Sequence, residues 1–155
     1  MISYRIATLD DLPILSQISS ELFSLPIAGD GPITPEEMYA THKKEMHEGN
    51  TAFFLTFADD AVVGFSYVSY RTEYVGGTDG DGTTAYLEGI YVKPPYQGQG
   101  IARKLVAMCE DWAREQGCSE FASDCLLDNH DSLAFHLKIG FEESERVILF
   151  NKKLK

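Results

Sequence analysis

The sequence has no run approaching the ~20 apolar residues that a membrane-spanning helix requires, and no repeat, linker or low-complexity tract interrupts it. It is also short of positive charge: 13 Lys and Arg stand against 24 Asp and Glu, a formal net charge of −11. Sequence-independent nucleic-acid binding depends on cations placed at phosphates, so that class of partner is excluded. An acidic surface attracts cationic small molecules or basic peptides at long range, and it also simply keeps a protein soluble. Charge alone leaves both readings open. Cysteine is scarce and odd in number, and Cys109, Cys118 and Cys125 have spacings that suit neither a disulfide framework nor a metal site. The opening MISYRIATLDD has neither a basic start nor the apolar stretch of an export signal. The expectation is a reduced, cytoplasmic protein with no metal.

What is present suits a single domain spanning 1–155, since 155 residues with 44% apolar side chains can close one substantial core. SYRIA (3–7) alternates as a short strand does. Thr8 and Asp11 then form a capping-box variant ahead of Leu12, Leu15, Ile18 and Leu22 at helical spacing. A loop rich in Gly and Pro at 24–33 leads to Thr34-Pro35-Glu36-Glu37, a helix start that should run to Glu48. The runs 51–58 and 61–75 read as a hairpin turned at Asp59-Asp60. The loop GGTDGDGTT (76–84) lacks the carboxylates and the twelfth-position Glu of a calcium-binding hand. Beyond it come a strand (86–92), a helix ended by Gly117, a strand (119–124), a helix over 131–139 ended by Gly140, and a last strand region over 141–154. Hairpins first and β-α-β units afterwards predict an α/β fold with a mixed, mainly antiparallel sheet and helices on both faces.

The stretch YLEGIYVKPPYQGQGIA (86–102) holds the chemistry. By the period of two, Tyr86, Glu88, Ile90 and Val92 share one strand face unless a bulge intervenes. A carboxylate in that company needs pairing or water, which favours a cleft. The following loop, Gln97-Gly98-Gln99-Gly100-Ile101-Ala102, passes straight into a helix whose first N–H groups and dipole suit an anion such as a phosphate. A dinucleotide-binding fingerprint would need a third glycine where Arg103 stands, and a Walker loop would need Gly-Lys-Ser/Thr.

The spacing Gln97-x-x-Gly100-x-Ala102 resembles the Q/R-x-x-G-x-G/A motif of the GNAT acyltransferase superfamily. The order of elements agrees, as do Ile90-x-Val92-x-Pro94 before the loop and Asn129, Ser132, Phe135, His136 and Gly140-Phe141 after it. Within that superfamily YLEGIYV, GCSEFASD and GFEESERV are similar to the aminoglycoside 6′-N-acetyltransferases. The resemblance implies acetyl-CoA as cosubstrate and a cationic aminoglycoside as acceptor. Backbone groups at Ile90, Tyr91 and Val92 would pair with the pantetheine arm. Gln97, Gly98, Gln99, Gly100, Ile101, Ala102 and Arg103 would hold the phosphates, and Asn129 would contact the cofactor. Phe23, Tyr74, Glu88, Asp124 and Glu145 fall at acceptor-binding positions. Glu88 would accept the amine's proton, with Asp124 assisting.

His136 takes the place of the family's usual Tyr general acid, where a neutral imidazole donates a proton or only packs. A homodimer joined through the final strands is the assembly the resemblance implies. Other amines (a polyamine, a peptide N-terminus) and a non-catalytic acyl-CoA module are the competing readings. The cluster of acids beyond the loop has no work in the latter. Asp124 also suits a turn cap, Tyr74 and Phe23 ordinary packing, and the cysteines buried hydrophobes.

Overall fold

The computed structural model describes residues 1–26, 31–80 and 82–155; positions 27–30 and 81, within the two expected loops, lie outside the described residues. Along the chain run β1 (Ile2–Ile6), a 3₁₀ turn (Leu9–Asp11), α1 (Leu12–Phe23), α2 (Pro35–Glu48), β2 (Thr51–Ala58), β3 (Ala61–Arg71) and β4 (Thr84–Val92). A second 3₁₀ turn (Pro94–Tyr96), α3 (Ile101–Glu115), β5 (Glu120–Ala122) and α4 (His130–Lys138) complete the described elements. The sheet order is β1-β2-β3-β4-β5. Every neighbouring pair is antiparallel except β4 with β5. No helix among the described residues is long and apolar enough to cross a membrane.

Local chemistry sets the helix starts. Thr34 Oγ1 accepts the Glu37 N–H at 3.1 Å while Glu37 Oε2 accepts the Thr34 N–H at 3.0 Å, a reciprocal cap ahead of Pro35. At α1 the Asp11 carboxylate accepts the Thr8 N–H at 2.8 Å and closes the 3₁₀ turn that precedes the helix. The same carboxylate takes both ends of the Arg5 guanidinium at 2.7 Å, tying β1 to α1. Helices then cover both faces. Leu15 and Ile18 of α1 pack on Phe53, Leu55, Phe65 and Tyr67, while Ile101, Leu105, Val106, Cys109 and Ala113 of α3 pack on Val68, Ala85, Leu87 and Val92.

The partners of β4 reveal a bulge. Val68 lies opposite Leu87 and Tyr67 opposite Gly89, so Glu88 is an extra residue with no partner across the ladder. The expected shared face of Tyr86, Glu88, Ile90 and Val92 is therefore corrected. Ala85 and Leu87 point into the α3 core before the bulge, and Ile90 and Val92 do so after it. The extra residue shifts the alternation by one and leaves Glu88 on the opposite side, toward α1.

Two boundaries also differ from expectation. β3 ends at Arg71 rather than at 75, and the segment 141–155 forms no strand. A strand exists only as one member of a ladder, and that segment pairs with no strand among the described residues. Past Phe141, which packs on Phe121, its apolar side chains lie in the open, Ile148 at 80% and Phe150 at 91% exposure.

The Arg5 guanidinium, with the Thr8 N–H, holds the Asp11 carboxyl down at about 2, against an ordinary value near 3.8. A depressed acid stabilises the fold above its unfolded pKa and loses that contribution as pH falls through the folded value. Asp11→Asn should cost about 1–2 kcal/mol at pH 7, at the lower end because Arg5 is half exposed. The difference from wild type should vanish between pH 4 and pH 2. Urea unfolding of both proteins at those pH values is the measurement.

Candidate active site

Glu88 stands at the bulge with one carboxylate oxygen already engaged. Its Oε1 accepts the Ser69 hydroxyl at 2.9 Å and an Arg71 Nη2 donor at 2.6 Å. Ser69 and Arg71 are two apart on β3 and share a face, so both reach the same acid. The Arg71 guanidinium also lies over the Tyr86 ring, 3.9 Å from its centroid. The Tyr86 hydroxyl in turn donates to Asp124, just past the end of β5. The two predicted carboxylates, from different strands, are thus joined by one network through Arg71 and Tyr86.

Phe23, the last residue of α1, closes this region from above. A Cβ built on Gly89 would meet Leu22 at 3.1 Å, Tyr67 at 3.2 Å and Phe23 at 3.3 Å, so only glycine beside the bulge lets α1 come this close. Tyr67 stacks on Phe53 at 4.8 Å and meets Phe23 edge-on. Burial, and then the carboxylates of Glu45 and Glu88, push its hydroxyl well above the ordinary tyrosine value, so it stays neutral beside the acids. Tyr74 and Glu145 each lie against a different glycine of the 76–84 loop. The Tyr74 ring is 72% exposed and lies over Gly80, and the Glu145 carboxylate lies 3.2 Å from where a Gly76 Cβ would stand. No hydrogen bond among the described residues joins either of them to Glu88 or Asp124.

On the other side of the bulge the sheet opens. β5 pairs with β4 only over Thr84–Tyr86, and among the described residues nothing continues that ladder along Leu87 to Val92. The backbone of Ile90, Tyr91 and Val92 therefore presents one free edge to an extended ligand. The Gln97 side-chain amide donates to the Val92 carbonyl at 2.9 Å and holds the loop against the strand end. Gly98 and Gly100 have φ of +77° and +82°, and nothing lies within 4 Å of a Cβ on either, so conformation rather than space requires glycine.

Helix α3 begins at Ile101, and its first closed bond runs from the Lys104 N–H to the Gly100 carbonyl at 3.1 Å. The N–H groups of Ile101, Ala102 and Arg103 are thus free for an anion, while the Ile101 side chain is sunk in the core. Gln99 completes this loop. Asn129 caps α4, its side-chain oxygen accepting the Ser132 N–H at 3.2 Å.

His136 is held at both nitrogens. Its Nδ1–H donates to the Ser132 carbonyl at 2.6 Å, and Nε2 is hydrogen-bonded to the Ser123 hydroxyl at 2.7 Å. These bonds anchor α4 beside the end of β5. A second histidine constellation was not foreseen. Buried His42 donates from Nδ1 to Glu45 at 2.8 Å and accepts the Ser19 hydroxyl at Nε2, 2.7 Å away. Its order resembles a nucleophile relay, yet Ser19 and His42 have no exposed surface, so it serves to pin α1 to α2. Burial pushes the Cys109 thiol up to about 12, which makes it inert packing. Arg71, Ser69 and Tyr86 are the site residues that the sequence did not yield. The one available signal was a lone cation ending an apolar strand in an acidic chain.

Residues 15–141 match the model of the acetyltransferase (GNAT) family. The aminoglycoside N(6′)-acetyltransferase type 1 of Acinetobacter haemolyticus is 40% identical over 119 residues, covering 74% of this chain and 81% of that protein. The Serratia marcescens protein of the same name is 42% identical over 118 residues, 73% of this chain and 80% of that one. Among solved structures, aminoglycoside N-acetyltransferase AAC(6′)-Iy bound to the bisubstrate analogue CoA-S-monomethyl-acetylneamine superposes with a TM-score of 0.85 at 30% identity, covering 99% of both chains.

Placing alanine at position 100 forces a side chain into the left-handed region, at about 1–2 kcal/mol. The loop relieves that strain by re-aiming the N–H groups of Ile101 to Arg103. Gly100→Ala should therefore weaken CoA binding by about tenfold, since 1.4 kcal/mol is a factor of ten. Titration calorimetry with CoA tests this, and an unchanged affinity would remove the loop from cofactor binding.

Proposed function

The chain belongs to the GNAT family of acetyltransferases, and on that premise we propose that it moves the acetyl group of acetyl-CoA to the 6′-amine of aminoglycosides by direct attack in a ternary complex. The observation that carries this reading is the Glu88 bulge. It sets an acid, linked to Asp124 through Arg71 and Tyr86, on the α1 side of the very strand whose free edge would take the cofactor. The relative crystallised with a CoA–aminoglycoside conjugate, similar over 99% of this chain, supports the same pairing of substrates.

The residues present fit acetyl-CoA. The edge at Ile90 to Val92 suits the amides of the pantetheine arm, and the three free N–H groups opening α3 suit the pyrophosphate. A cationic acceptor fits the acids: Glu88 and Asp124 bind ammonium groups, Phe23 offers an apolar face to a sugar ring, and Tyr74 with Glu145 extends the acidic surface outward. An ammonium cannot attack, so Glu88 takes its proton, through an ordered water, with Asp124 assisting. The neutral nitrogen then attacks the thioester carbonyl. A C–N bond forms, the C–S bond breaks, and the second proton of the attacking nitrogen passes to the departing CoA thiolate, which leaves as the thiol. A backbone N–H near Ile90 holds the oxyanion between these events, a donor worth about 3 kcal/mol. Holding both substrates in one cleft supplies much of the remaining acceleration. His136 we assign to positioning β5 against α4. The conferred trait is aminoglycoside resistance.

The three free cysteines fit a reducing, cytoplasmic setting. The exposed run Val147-Ile148-Leu149-Phe150 is what a second copy would cover, and we read the active form as a homodimer. Leu149→Asp with Phe150→Asp should shift the sedimentation coefficient from dimer to monomer.

A thiol-release assay with acetyl-CoA and kanamycin, tobramycin, spermidine or a peptide tests the reaction. Turnover is expected with 6′-amino aminoglycosides and lost with a 6′-hydroxy counterpart. Turnover with spermidine or peptide alone would reassign the acceptor, and CoA binding without turnover on any acceptor would make the chain a sensor. Glu88→Gln should lower kcat about 100-fold and leave CoA affinity unchanged; an unaltered kcat would remove Glu88 from the mechanism.

A further inference from the structure

The carboxylate assigned to the acceptor is not waiting empty. Arg71 holds Oε1 of Glu88 at 2.6 Å and lies flat on Tyr86, whose hydroxyl serves Asp124. A guanidinium thus already holds one of the two Glu88 oxygens at which an acceptor ammonium could bind. Two cations cannot share that corner at contact distance without repulsion. The Glu88 side chain is 22% exposed and that of Arg71 43%, so the pair faces solvent rather than the core.

Beside Arg71 lies a cavity of about 340 Å³, lined by Asn50, Tyr70, Arg71, Thr72 and Glu73. Asn50 Oδ1 is buried and makes no hydrogen bond among the described residues, an acceptor without a donor. Buried polar atoms are rarely left so. The cavity also offers the Glu73 carboxylate. An arginine side chain turning at the end of β3 meets Glu73 there and, once the Asn50 side chain turns with it, the unpaired amide oxygen.

We propose that Arg71 is a built-in counter-cation, displaced by the acceptor ammonium from Glu88 into the cavity beside Asn50 and Glu73. This rests on the reading of Glu88 as the acceptor's carboxylate. The device sets a threshold on acceptor charge. A single ammonium replaces one cation by another at Glu88 and gains little. A second ammonium reaches Asp124, whose bonded partner is a neutral hydroxyl, and meets no such competitor. Among aminoglycosides, those whose ammonium groups span both acids are therefore favoured.

The test is binding of kanamycin to the full chain, read by calorimetry and by ¹⁵N side-chain resonances of arginine, with the Arg71 signal assigned through its absence in Arg71→Met. Saturating kanamycin should move the Arg71 signal off its ring-shifted position over Tyr86. Arg71→Met should bind kanamycin about fivefold tighter, the scale of a partly exposed pair. The monoamine 6-amino-6-deoxyglucose should gain the same factor. Asn50→Leu should weaken kanamycin binding about threefold when Arg71 is present and not at all in the Arg71→Met background. An unmoved resonance, or weaker binding by Arg71→Met with its CoA affinity intact, would overturn the proposal and make Arg71 a fixed clamp. If kanamycin is acetylated in either of those cases, the proposed reaction stands and only the displacement falls. If kanamycin neither binds nor reacts, both fall together.

Discussion

One surplus residue in β4 governs the site. Leu87 and Gly89 face consecutive residues of β3, and Glu88 has no partner across the ladder. An unbroken alternation would force a choice. With Ile90 and Val92 in the α3 core, Glu88 would join them, and an unpaired carboxylate there costs several kcal/mol. With Glu88 facing α1, those two apolar side chains would leave the core. The bulge lets the strand do both, and the helices then follow. Gly89 carries no Cβ, so Leu22 and Phe23 of α1 close down on the acid's side. On the far side α3 docks on the resumed alternation through Ile101 and Leu105.

The same strand sets the distance between the two binding regions. Gly64 on β3 lies where a Cβ would stand 3.2 Å from the Tyr91 carbonyl and 3.4 Å from Ile101. The start of α3, with its free N–H groups, is thereby pressed against the strand pair that carries Glu88. The Gln97 amide on the Val92 carbonyl fixes the loop between them. An anion at the helix start and a cation at the bulge would be registered by one stiff piece of backbone, which is what transfer between two bound molecules demands.

Legibility followed sequence distance. The glycine loop before α3, the caps at Thr8 and Thr34, and the stripe of α3 depend on residues within a few positions of one another, and all were readable. So was the mixed sheet, from the order of hairpins and crossovers. The bulge was not, because an extra residue is defined only by its partners, and YLEGIYV alternates acceptably either way. Arg71 was hidden for the same reason: it lies seventeen residues from Glu88 in sequence and touches it only through the β3–β4 register. The last segment misled in the opposite sense. EESERVILF has the composition of a strand, yet a ladder needs a neighbour, and none pairs with it among the described residues.

Two acids in one cleft would repel each other and lose hydration unless something answered each of them. Here the answers differ in kind. Asp124 is met by a phenol, and one oxygen of Glu88 by a serine hydroxyl and a guanidinium. A hydroxyl can stay in place when a cation arrives, because it is neutral and its lone pairs also accept. A guanidinium has five donors, no acceptor and a permanent charge, so it repels a second cation brought to the same carboxylate. The contact that answers Glu88 is thus also one that opposes another cation beside it. The chain's net charge of −11 works the other way, drawing polycations toward the cleft from a distance. Attraction at long range and competition at contact range select together for ligands that bring more than one positive charge.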